Sequence, residues 1–89
     1  MLKIKDLQRL IVEIQHYEME LFEALDEDYP DNRIVRAKER AIYNRLDKIT
    51  NDIVLKEKIR LCIQQGMWNT KDYTFKPIFD NLRNIGLEV

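Results

Sequence analysis

Ile4, Leu7, Ile11, Ile14, Leu21 and Leu25 recur along the chain at steps of three, four and seven. That is the a/d repeat of a helix packed along its length, and it predicts one helix from about residue 3 to 27, closed by Asp28-Tyr29-Pro30-Asp31-Asn32. At about 1.5 Å per residue this helix is about 36 Å long, so it must lie against other elements throughout. Val35, Ile42, Leu46, Ile49 and Ile53 keep the same spacing in a second helix with Asn32 as its N-cap. Thr50-Asn51-Asp52 then offers three capping residues in a row and places a break before a third helix that starts at Ile53, with one continuous helix over 33–65 as the alternative. Leu55, Ile59, Cys62 and Ile63 share one face of that helix, and Gly66 is expected to end it as a C′ glycine with positive φ. Residues 67 to 76 are aromatic and irregular. Pro77 fits a first helical turn, and Ile78, Phe79, Leu82 and Ile85 form a short apolar face ended by Gly86. The fold class predicted is all-α: a long antiparallel helical hairpin over 3–50, plus a third helix and a short C-terminal helix over 52–89, forming one small helical bundle.

Composition agrees with this pattern and limits what the bundle can do. With 89 residues, a single domain buries only about two thirds of its unfolded surface, so a partner or a second copy is expected to add core. Two glycines and two prolines disfavour a turn-rich β fold. A formal charge of −1 supplies no global field to attract nucleic acid or an anionic membrane. No apolar run approaches the roughly 20 residues that span a bilayer, and Met1-Leu2-Lys3-Ile4-Lys5-Asp6 lacks the apolar core of a secretory signal. Cys62 is the one cysteine and has no partner for an internal disulfide, which points to a reducing cytoplasm. Richness in Lys, Ile, Asn, Asp and Glu suggests a bacterial or phage origin.

Charge is sorted along the chain. Residues 18 to 31 hold Glu18, Glu20, Glu23, Asp26, Glu27, Asp28 and Asp31 with no base, whereas residues 33 to 48 hold Arg33, Arg36, Lys38, Arg40, Arg45 and Lys48 against Glu39 and Asp47. A tight turn between them lays the acidic end of the first helix beside the basic start of the second. The hairpin can then neutralise itself, each exposed pair contributing about 0 to 1 kcal/mol and mainly selecting this pairing over others. The alternative is functional: Arg33, Arg36 and Arg40, at i, i+3 and i+7, present a basic stripe to an acidic partner, with Glu20, Glu23 and Glu27 as the matching candidates on the acidic side.

No motif names a reaction. Glu13-Ile14-Gln15-His16 has the Glu-x-x-His step of carboxylate-bridged metal bundles, but His16 is the only histidine, so a His16 contact to Glu20 at i+4 is the expected arrangement. Cys62 lacks a neighbouring histidine or second cysteine and is expected to be a small buried residue. The acidic run is too polar to raise a carboxyl pKa for acid catalysis, there is no glycine-rich phosphate loop, and no cofactor or metal is implied. A domain this small leaves little room for a pocket with its supporting shell.

The stretch from Ile59 to Val89 loosely resembles the end of a winged helix, with Asn81 and Arg83 on the helix that would enter the groove. This resemblance implies a DNA-binding regulator. The segment carries no excess of bases with which to neutralise phosphates, so nucleic acid is disfavoured. Trp68, Tyr73 and Phe75 either stack on a partner, bases included, or cap the open end of the bundle. The expected function is a small protein-binding module, a regulator, inhibitor or chaperone-like adaptor, whose partner is another protein. A homodimer is also expected, because the first helix offers more apolar seam than residues 34 to 63 cover, with Leu10 and Tyr17 widening the stripe outward.

Overall fold

The helices among the described residues follow the apolar stripes of the sequence. The structure, a computed structural model, describes residues 3–68 and 75–87. It contains α1 (Ile4–Leu25), α2 (Asn32–Leu46), α3 (Ile53–Trp68) and α4 (Lys76–Asn84), all-helical with no strand among the described residues. α1 and α2 make the antiparallel hairpin, α3 lies across both, and α4 packs on α3.

Helix ends follow local chemistry. Asp31, one residue before the expected Asn32, caps α2, its carboxylate accepting from the Arg33 N–H at 2.9 Å. The break after α2 is real: Asp52 accepts from the N–H groups of Val54 at 2.9 Å and Leu55 at 3.1 Å, and Thr50 accepts from Asp52 N–H at 3.2 Å. Pro77 sits in the first turn of α4. That helix closes on Gly86, φ +99°, with Gly86 N–H donating to Arg83 and Leu87 N–H to Leu82, both at 3.0 Å. These two bonds are a Schellman cap, and Leu87 packs back on the core.

Gly66 does not end α3, which continues to Trp68. A Cβ at 66 would fall inside van der Waals contact of Cγ1 and Cδ1 of Ile78. The glycine is there because α4 crosses α3 at that point, a tertiary reason that local pattern does not carry.

One core joins all four helices: Leu7, Ile11, Ile14 and Leu21 of α1, Ile42 and Leu46 of α2, Ile59, Cys62 and Ile63 of α3, and Ile78 and Leu82 of α4. The ends of the α1 seam are uncovered, with Ile4 58% and Leu25 53% exposed. Ile53, the first residue of α3, is exposed too rather than continuing the α2 seam. Leu10 and Tyr17 turn inward, contrary to expectation. Leu10 is buried, and Tyr17 packs on the core beneath the Arg45 guanidinium, 4.7 Å from its ring centroid.

The gap of seven between Ile14 and Leu21 is filled by a buried carboxylate. Glu18 takes the seam position and is 8% exposed. Arg60 of α3 donates to its Oε1 from Nε at 2.9 Å and lies within 2.8 Å through a second guanidinium nitrogen, while Gln64 donates to Oε2. Arg60 also donates to the Tyr43 hydroxyl of α2 at 3.3 Å, and that hydroxyl donates to Glu57 at 2.5 Å. The bond to Glu57, with burial, holds the Tyr43 phenol above its usual range against the pull of Arg60. α1, α2 and α3 are thus joined by one polar chain.

Three outcomes follow for stability. Leu46→Ala should cost roughly 2 to 5 kcal/mol, whereas Leu25→Ala, at an exposed seam end, should cost under about 1 kcal/mol; urea midpoints compare them. Gly66→Ala, which in an open helix interior would gain about 1 kcal/mol, should instead lose about 1 to 3 kcal/mol by overpacking, and adding Ile78→Ala should cost less than the two changes summed. Glu18→Ala should lose roughly 3 to 5 kcal/mol by stranding Arg60, while Glu18→Leu with Arg60→Met should recover most of it. Thermal unfolding followed by circular dichroism reads both.

Candidate functional site

Antiparallel pairing brings the C-terminal turns of α1 beside the start of α2, and only some of the sorted charges meet. Lys38 reaches Glu20 at 2.5 Å, and His16 Nε2 is 2.8 Å from the same carboxylate, as the i+4 spacing predicts. The Lys38 contact, opposed by partial burial and aided by His16, holds the Glu20 carboxyl below the usual range. Arg45 reaches toward Glu13 at 3.5 Å and donates to the Tyr17 hydroxyl at 3.4 Å. Lys38 and Arg45 therefore make the hairpin's cross-helix ties.

Arg33, Arg36 and Arg40 take no part in them. All three are exposed, and no ion pair among the described residues includes them. At 3.6 residues per turn they fall within about 60° of one another on α2, on the side opposite buried Ile42. They form an outward ridge over about 10 Å of helix.

Glu20, Glu23 and Glu27 converge on a separate feature, an open groove of about 530 Å³ at the hairpin's end, which Asp31, Tyr29, Ile34 and Lys38 also line. Tyr29 is 94% exposed there. Acidic groove and arginine ridge belong to the same end of the hairpin, so this end is strongly dipolar.

A second groove, about 260 Å³, is apolar and was not foreseen. Met19, Phe22 and Leu25 of α1 and Met67 of α3 line it, together with Glu18, Glu39, Arg60 and Gln64. The donors of Arg60 and Gln64 are directed at Glu18, so the groove suits an apolar side chain rather than a charged ligand. Leu25, expected on the packed seam, is instead 53% exposed and lines this groove.

The aromatic candidates separate. Phe75 packs on the core and stacks with Phe79, ring centroids 5.9 Å apart, so it caps the bundle. Trp68 is the last residue of α3; its side chain, and all of Tyr73, lie outside the described residues. Arg83 pairs with Asp80 at 2.9 Å on α4. Burial pushes the Cys62 thiol above its usual range. Among the described residues no group of three or more His, Cys, Asp or Glu side chains is placed to hold a metal ion, and no helix is long and apolar enough to cross a membrane. No protein-family model matches the chain, nor does any curated protein or any solved structure.

Proposed function

We propose that the protein is a small protein-binding module, a regulator, inhibitor or adaptor, that captures an acidic segment of another protein on the Arg33, Arg36 and Arg40 ridge. The observation that carries this reading is the division of the charges. Folding uses Lys38 and Arg45 to bridge α1 and leaves three arginines exposed one turn from a strongly acidic neighbour. Guanidinium groups at i, i+3 and i+7 match carboxylates at helical spacing on a partner, each able to take a bidentate contact. The acidic groove on the same hairpin end repels anionic chains that approach out of register, so it favours a short acidic segment over an extended polyanion. Cys62 is unpaired and buried, and the reading places the module in a reducing cytoplasm.

A photo-reactive phenylalanine analogue at Ala37, exposed beside the ridge, should give a discrete cross-linked adduct in native-host cells. The R33E/R36E/R40E variant should lose it while keeping its helical circular dichroism, because all three positions are exposed. An adduct that survives the triple reversal overturns the proposal. So does retardation of duplex DNA at about 50 mM salt that fades by about 200 mM, which would instead favour a nucleic-acid partner.

A further inference from the structure

We propose that two copies of this chain pair antiparallel along a second seam of α1. Ile4, Gln8, Val12, Gln15, Met19 and Phe22 follow one another at steps of four, four, three, four and three, and at 100° per residue they occupy a band of about 80° beside the core face. The band contains no charged residue. Ile4 is 58%, Val12 51%, Met19 52% and Phe22 56% exposed, so four apolar side chains of one helix are left half outside the bundle at heptad-like spacing.

The charges of α1 identify the occupant. Its first turns carry Lys5 and Arg9 with Lys3 just before, against Asp6; toward its end the exposed acid beside the band is Glu23, Glu18 being buried on Arg60 and Glu20 tied to Lys38 and His16. A parallel pair sets acid against acid. An antiparallel pair with its two-fold axis near residues 13 and 14 lays Ile4 against the partner copy's Phe22, Gln8 against Met19 and Val12 against Gln15. Along the rim it brings Lys5 to Glu23 twice over, once at each end of the self-complementary contact. Phe22 and Met19 also line the apolar groove, so the second copy's Ile4 arrives at the groove's mouth. A strip about 27 Å long and one helix wide is at the low end of specific interfaces, where self-association in the micromolar range is expected.

This inference shares with the proposed function only the premise that helical faces bind protein. The ridge is on α2, and its failure leaves the dimer untouched. Sedimentation equilibrium across a hundredfold range around 10 µM should show a mass rising from 10.8 kDa to twice that value. V12E/M19E should stay at 10.8 kDa throughout with unchanged circular dichroism, since both side chains are exposed. K5E and E23K should each weaken self-association about tenfold, and K5E/E23K should restore it, a recovery that a parallel pair cannot show because like charges would still face each other. A wild-type chain that remains monomeric over the range, a V12E/M19E variant that still dimerises, or a double charge swap without recovery overturns the proposal.

Discussion

A buried carboxylate has to be met, and in this protein meeting Glu18 fixes the positions of three helices. Removing an ionised group from water costs several kcal/mol unless charge and hydrogen bonds replace the lost solvation. Arg60 and Gln64 supply that replacement from successive turns of α3, and Arg60 in turn engages Tyr43 on α2. A one-turn slide of α3 along α1 keeps the same face toward the carboxylate but leaves only one of Arg60 and Gln64 opposite it. An apolar residue at 18 would be as stable or more so. What the charge contributes is choice: on seams built almost wholly of Ile and Leu, the observed register is the one that sets both Arg60 and Gln64 on Glu18.

Most of the architecture was legible because it depends on local rules. The a/d spacing of Leu7, Ile11, Ile14 and Leu21, the break at Thr50-Asn51-Asp52, Pro77 in the first turn of α4 and Gly86 at its end each follow from the residues themselves and their near neighbours. Where the reading missed, the deciding partner was distant in sequence. Gly66 looks like a stop signal until Ile78 is seen to occupy its Cβ position. Tyr17 looks like an outer-face residue until Arg45, 28 positions away, covers its ring. Glu18 looked like one more solvated acid because composition counted it with its neighbours, although the seven-residue gap in the repeat marked it as the one acid that faces inward.

The same distinction applies to the candidate site. Sequence sorting separated acids from bases correctly, yet it did not say which pairs close. That choice depends on reach and register: Lys38 has a long flexible stem opposite Glu20, whereas the arginines at 33, 36 and 40 emerge on the far side of α2. Segregation therefore serves two ends at once, holding the hairpin through two contacts and leaving a charged exterior. The apolar groove lies where Leu25 and Phe22 of α1 are left half exposed beside Met67 of α3.

Cys62 gives the molecule a built-in clock. The residue is 6% exposed, on the face of α3 that rests on the core, and burial pushes its thiol above the usual range. A soluble alkylating reagent reaches it only during the intervals when α3 lifts from the core, so labelling at one native atom records how often the bundle breathes. Because the lifting of α3 also parts Arg60 from Glu18, the same labelling reports how often that contact opens.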